Sequence, residues 1–191
     1  SVSMNATVSI ARASARAGMA GGICGVFGIA AGGCYGKVLV SNQARMQEAP
    51  MVPDDTHLQI GSLVFDGMDQ LDLTGPFEVL ARIPNSTYRL YGKTAGAVRD
   101  VRGLRLLPDA DLAAAPALDV LHVPGGFGQD ALMEDAVVLD WIRTQAAGAR
   151  AVFSVCTGAL LCGAAGLLKG RRATTHWASF HLLPFFGAIP V

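Results

Sequence analysis

The sequence is poor in charged side chains and has no net charge. Only 16% of its 191 residues are charged, and its 15 basic and 15 acidic residues are scattered along the chain. A surface for nucleic acid or an anionic membrane needs clustered lysine and arginine, so neither partner is indicated. A small neutral ligand fits this charge balance better.

Cysteine is also scarce. The chain has four, at Cys24, Cys34, Cys156 and Cys162. These are too few for a disulfide scaffold, and their spacings lack the closely paired ligands of zinc sites. We therefore expect reduced thiols, a reducing cytoplasmic compartment and no metal centre.

The first 56 residues differ from the rest. Residues 17–33 are almost wholly apolar, but they are short and glycine-rich for a membrane span, which needs about 20 strongly apolar residues. Three interpretations stay open: a disordered or artefactual extension, with Met46 as the true start; a targeting segment of an exported protein; and a structural role. We treat residues 1–56 as an extension and residues 57–191 as the domain.

What the sequence has in quantity is apolar residues, 51% of the chain, which suffices for a core. From residue 58 onward their pattern predicts strands alternating with helices. Strands are predicted at 58–65, 87–93, 118–123 and 151–155, a hairpin at 97–107, and helices near 77–81, 136–147 and 157–168. Because strand, helix and strand follow in sequence, we expect a single α/β domain with a mostly parallel sheet and right-handed crossovers.

Cys156 stands where the apolar strand 151–155 meets a predicted helix. A thiol there faces the positive end of a helix dipole and backbone N–H groups without intrahelical partners, which favours the thiolate. Cys156 is therefore a candidate nucleophile. The alternative is a small buried hydrophobic residue, as most free cysteines are.

Asp72 follows the first predicted strand, in a loop before a helix that Thr74 would cap, with Pro76 in its first turn. The carboxyl ends of parallel strands meet at one edge of a sheet, so Asp72 is expected to converge with Cys156 and to handle protons there. A helix-capping or surface carboxylate is the alternative for Asp72.

Gly125 and Gly126 follow the strand 118–123. Glycines at such a turn let backbone amides approach a ligand closely. We expect Gly125, and the amides of Gly126 and Thr157 in particular, to stabilise charge that develops on the substrate. A plain strand-to-helix turn is the alternative.

Histidine is the usual partner of a catalytic cysteine, but the residue after the cysteine is Thr157. His176, with its neighbour Thr175, is a possible site-lining residue at the end of a short strand; otherwise it is a structural partner of Trp177. The remaining candidates are expected to be structural or exposed, with core packing for His122 and Cys162 and surface positions for His57 and His181.

Four motifs in this order resemble the ThiJ/PfpI superfamily of class I glutamine amidotransferase-like proteins. They are QLDLTGP at 70–76, VPGG at 123–126, FSVCTG at 153–158 and GRRATTHW at 170–177. The resemblance covers about residues 58–191, and within the superfamily the motifs resemble most those of bacterial isocyanide hydratases.

The resemblance implies a three-layer α/β/α flavodoxin-like sandwich with a cysteine nucleophile elbow. It also implies a homodimer without a metal or organic cofactor. The family's domain continues past the position of residue 191, so we expect the chain to be incomplete at its C-terminus.

Carried onto this sequence, the resemblance makes Cys156 the nucleophile and Asp72 its acidic partner. The implied reaction hydrates an isocyanide to an N-substituted formamide, through attack of the thiolate on the terminal carbon and hydrolysis of a thioimidate. Peptidases of the superfamily carry histidine where Thr157 stands, so peptidase activity is not expected.

Two other functions stay open. A similar module, followed by a helix-turn-helix domain, senses ligands in AraC-type transcription regulators. The reactive thiol could also serve in redox chemistry or in handling aldehyde damage.

Overall fold

The structure, a computed structural model, describes residues 24–27 and 56–191. Its strands are β1 (Cys24–Phe27), β2 (Leu58–Val64), β3 (Ser86–Gly92), β4 (Val98–Arg99), β5 (Arg105–Leu106), β6 (Ala110–Asp111), β7 (Val120–Val123), β8 (Ala151–Val155), β9 (Arg172–Ala173) and β10 (Ile189–Pro190). Its α-helices are α1 (Gln70–Leu80), α2 (Gln129–Leu132), α3 (Ala136–Gly148) and α4 (Gly158–Ala164), and 3-10 helices cover Leu112–Ala114 and Trp177–Phe186.

The central sheet is parallel, as the order of strands and helices predicted. Its six strands lie in the order β1-β8-β7-β2-β3-β6, and every neighbouring pair runs parallel. The predicted hairpin is formed by the antiparallel pair β4 and β5, while β9 and β10 make a small parallel pair. The ends of β2, β7 and β8 therefore meet at one edge of the sheet.

Helices cover both faces of this sheet. On one face Val120 and Phe153 pack with Leu80 of α1. On the other, Leu121 and Val152 pack with apolar residues of α3 and α4. Neighbouring residues of one strand point to opposite faces, so this division gives the three layers of a flavodoxin-like sandwich.

Helix α1 begins earlier than predicted. Asp69 is its N-cap, with Oδ1 accepting from the N–H of Leu71 at 3.1 Å, so the helix starts at Gln70. Asp72 consequently lies in the first helical turn and not in the preceding loop. The prediction that Asp72 sits in a loop was wrong because a capping aspartate three residues before it was overlooked.

Two further details of the helices differ from the prediction. Thr74 does not cap α1 but lies inside it, where its hydroxyl donates to Oε1 of Gln70 at 3.1 Å, and Pro76 lies inside the same helix. Helix α4 ends at Ala164, several residues early, because Gly166 takes the left-handed conformation with φ +82°.

Strand β1 gives part of the N-terminal segment a place in the sheet. Its four residues pair in parallel with residues 152–155 of β8. The other residues before position 56, and with them the predicted targeting segment and the proposed start at Met46, lie outside the described residues. None of the described helices is both long and apolar enough to cross a membrane.

Candidate active site

Cys156 follows β8 directly and has a positive φ of +55°. A residue with a side chain takes this conformation at a cost of about 1–3 kcal/mol, so the surroundings must hold it. Thr175 helps to hold this backbone conformation, because its hydroxyl donates to the Cys156 carbonyl at 2.9 Å. The next helix begins with Gly158, where a Cβ would lie 2.2 Å from the carbonyl oxygen of Val123. The result is a sharp elbow that leaves Cys156 half-buried.

Asp72 reaches this elbow from the first turn of α1. Its side chain is 7% exposed, its carboxyl is hydrogen-bonded to the Cys156 thiol, and its Oδ2 accepts from the N–H of Gly125 at 3.2 Å. The structure thus brings together the two residues that the sequence singled out as nucleophile and proton carrier.

Burial shifts the proton affinities of both groups. It raises the pKa of Asp72 from 3.8 to about 6, with a further rise from the charge of Asp69, while hydrogen bonds from Cys156 and Gly125 act in the opposite direction. Burial also raises the pKa of Cys156 from 9.0 to about 12, and the nearby Asp72 charge adds to it. Near neutral pH the pair therefore holds one proton, on sulfur, with the Asp72 carboxylate as its acceptor.

The start of helix α4 favours the Cys156 thiolate, as expected, but other effects outweigh it. Helix α4 has only seven residues, and the hydrogen bonds of Thr157 to the sulfur lower the pKa of Cys156 less than desolvation and the Asp72 charge raise it. The arrangement can instead move the thiol proton to Asp72 when an electrophile takes up the sulfur electrons.

The two glycines after β7 hold the site together. A Cβ on Gly125 would lie 2.6 Å from the Thr157 nitrogen and 2.9 Å from both Asp72 Oδ2 and Cys156 Cβ, so this position has no room for a side chain. Gly126 has a φ of +127°, and its N–H donates to Thr157 Oγ1 at 3.0 Å. Both glycine N–H groups thus donate to neighbouring side chains, and their role in stabilising charge on a substrate stays a prediction.

The segment after β9 contributes Thr175 but gives His176 a structural position. Thr175 is buried against the elbow, whereas His176 is exposed. The His176 Nδ1 accepts from the N–H of Ala178 at 3.3 Å, and its ring lies 5.4 Å from that of Trp177. His176 thus takes the structural alternative that the sequence left open.

His122 is a core histidine, as expected. It is fully buried in β7, and its Nδ1 lies 2.6 Å from the Ser62 hydroxyl. That hydroxyl is also hydrogen-bonded to the Tyr88 hydroxyl. Burial lowers the pKa of His122 to about 3, so the ring stays neutral. Cys162 is likewise fully buried, while His57 and His181 are exposed.

Sequence reasoning missed Asp69 and the side chain of Thr157. The signal for Asp69 was a capping residue just before a helical pattern. Asp69 also lines a cavity of about 350 Å³ whose walls are completed by Gln70, Asp100, Val101, Arg102 and Phe127. Among the residues that the structure describes, no three His, Cys, Asp or Glu side chains are grouped to hold a metal ion.

Comparison with known proteins gives consistent results. The model of the DJ-1/PfpI family matches residues 59–184. Isonitrile hydratase of Pseudomonas putida is 56% identical over 134 residues, which are 70% of this chain and 59% of the hydratase. The HTH-type transcriptional regulator GbdR of Pseudomonas aeruginosa is 32% identical over 142 residues, 68% of this chain and 37% of the regulator.

A crystal structure shares the fold. The THiJ/PfpI family protein from Pseudomonas syringae superimposes with a TM-score of 0.70 and 37% identity, covering 78% of this chain and 64% of that protein. The chain thus spans about 60% of the length of the hydratase and of this solved relative. Fold, elbow and family match agree, and the chain belongs to the DJ-1/PfpI family.

Proposed function

We propose that the protein is a cysteine-dependent hydratase that converts isocyanides, also called isonitriles, to N-substituted formamides. The observation that carries this proposal is the hydrogen-bonded pair of Cys156 and Asp72 at the strained elbow. The 56% identity to isonitrile hydratase of Pseudomonas putida supports the choice of substrate.

In the first step the Cys156 sulfur bonds to the terminal isocyanide carbon. Asp72 takes the thiol proton as the sulfur attacks and gives it to the same carbon, which becomes the CH of a thioimidate. A carboxyl with a pKa of about 6 is suited to both transfers near neutral pH.

In the second step water adds to the thioimidate carbon. Asp72 accepts one proton from the water and passes it to the substrate nitrogen, which gives a tetrahedral intermediate with an OH and an N–H. As this intermediate expels the Cys156 sulfur and forms the C=O of the formamide, Asp72 accepts the remaining proton from the OH and returns it to the sulfur.

The test is formamide production from an aryl or alkyl isocyanide. Cys156→Ala should lower turnover by at least about a thousandfold, because the covalent route is lost. Cys162→Ala is the matched control, since this fully buried cysteine packs in α4 away from the reacting pair. Activity in Cys156→Ala equal to that of the unaltered protein would exclude the proposed mechanism.

A second candidate function is a ligand-sensing domain. The match to the transcriptional regulator GbdR, 32% identity over 68% of this chain, favours it. A sensor would bind an isocyanide or a related small molecule and release it unchanged. Binding seen by calorimetry without formamide formation would favour the sensor, whereas steady turnover favours the hydratase.

A further inference from the structure

Asp69 and Asp72, at the start of α1, both form hydrogen bonds with Gly125. The Asp69 N–H donates to the Gly125 carbonyl at 2.9 Å, and the Gly125 N–H donates to Asp72 Oδ2 at 3.2 Å. Gly126 packs closely beside them, because a Cβ there would lie 2.4 Å from the Asp69 nitrogen. These contacts fix the position of Asp69 relative to the proton carrier.

In the described part of the chain the Asp69 carboxylate makes no ion pair, although Arg102 and Asp100 line the same cavity. The ion pairs found there join Arg82 to Glu78, Lys93 to Asp135, Arg143 to Asp140 and Arg150 to Asp119. Asp69 lines the cavity of about 350 Å³ and uses Oδ1 to cap its own helix. Its charge therefore acts on the neighbouring carboxyl.

The groups that act on Asp72 come from three elements. Burial raises the pKa of Asp72 most strongly. Asp69, at the start of the same helix, raises this pKa further. The Cys156 thiol from the elbow and the Gly125 N–H after β7 lower it through hydrogen bonds. Asp69 is thus the one charged side chain in this set that opposes ionisation.

We propose that Asp69 is a positioning residue of the pair, which is held against Gly125 in the same helical turn as Asp72 and places a second negative charge beside that carboxyl. The proposal rests on the proposed role of Asp72 as proton carrier. By raising the proton affinity of Asp72, Asp69 helps this carboxylate to accept the thiol proton, which Asp72 then passes to the isocyanide carbon.

The test follows the alkylation of Cys156 by iodoacetamide as a function of pH, read on the Cys156 peptide by mass spectrometry. The ionised carboxylate accepts the thiol proton, so the rate of the unaltered protein should rise with an inflection at about pH 6. In Asp69→Asn the inflection should move to lower pH, on the order of half a pH unit, because a like charge is removed. Asparagine caps helices as well as aspartate does, so α1 should persist.

Three variants separate charge from structure. Asp69→Glu keeps the charge and should leave the inflection near that of the unaltered protein. Asp135→Asn is the matched control, because Asp135 caps α3 in the same way as Asp69 caps α1 and lies in another helix. Should Asp69→Asn fail to fold, Asp69→Ser serves as the neutral capping residue.

An inflection that is unchanged in the neutral Asp69 variant would overturn the proposal. So would an equal shift in Asp135→Asn, or an unaltered protein without an inflection between about pH 4 and pH 8. Alkylation needs no isocyanide. A protein that makes no formamide but shows the expected shift would therefore contradict the proposed hydratase while supporting the role of Asp69.

Discussion

At Asp72, proton chemistry and stability oppose each other. Burial raises the pKa of this carboxyl to about 6 from an ordinary 3.8, so the folded protein binds the proton more tightly than the unfolded chain does. The stability that this contributes is fully present below about pH 4 and is lost as the pH rises through about 6. At neutral pH the fold therefore carries an ionised, mostly buried carboxylate.

Asp72→Asn removes this cost. The amide keeps the shape of the side chain and can accept from Gly125, but it does not ionise. Relative to the unaltered protein, the variant should gain about 2 kcal/mol in free energy of unfolding between about pH 4 and pH 8, while formamide formation is lost. Urea unfolding at both pH values measures the gain, and a difference independent of pH would contradict the assigned pKa.

The sequence was sufficient to select Cys156 and Asp72, because each follows a predicted strand whose end lies at the sheet edge. It could not provide the proton affinities of the pair. Those depend on burial and on the distance between two side chains 84 positions apart, which only the fold determines. Asp69 was missed because its influence also acts through space.

Among the elements, the turn after β7 has little room for change. Gly125 lies against α1 on one side and the elbow on the other. A Cβ placed on Gly125 would lie only 2.6 Å from the Thr157 nitrogen. The Thr157 nitrogen belongs to the backbone and cannot move aside as a flexible side chain would. A methyl group added at Gly125 must therefore push the turn and the elbow apart.

Gly125→Ala should therefore lower formamide formation by at least about tenfold and stability by about 1–3 kcal/mol. Gly148→Ala at the end of α3 is the matched control, because a Cβ there meets nothing within 4 Å. Turnover and thermal unfolding measure both effects. Normal turnover in Gly125→Ala would show that the turn does not position the reacting pair.

The strands were easier to predict than the helix ends. Runs of apolar residues mark β2, β7 and β8 because both faces of a parallel sheet are buried. The start of α1 depended on choosing between Asp69 and Thr74 as the cap, and the end of α4 depended on Gly166. Such ends are set by one side chain or one backbone conformation, which periodicity does not reveal.

At the scale of the whole molecule, β1 extends the sheet beyond the domain that the sequence predicted. It covers the edge of β8, the strand that ends at Cys156. Of the three interpretations of residues 1–56, this pairing favours a structural role for Cys24–Phe27. The homodimer and the cytoplasmic location stay predictions.

A chain that begins at Met46 lacks β1 and exposes the backbone groups of the β8 edge. We expect it to melt several degrees below the 191-residue chain, because no other strand of the described residues pairs with that edge of β8. Thermal denaturation of the two chains side by side measures this. Equal melting temperatures would favour an extension without a structural role.

The most direct test of the hydratase mechanism is the covalent intermediate. After rapid acid quenching of a reaction with an isocyanide, mass spectrometry should find the Cys156 peptide heavier by the mass of one isocyanide molecule, since carbon gains both sulfur and the thiol proton. The adduct should disappear as formamide forms, and Cys156→Ala should give neither adduct nor product. Formamide produced at full rate by Cys156→Ala, with no adduct in the unaltered protein, would contradict the mechanism.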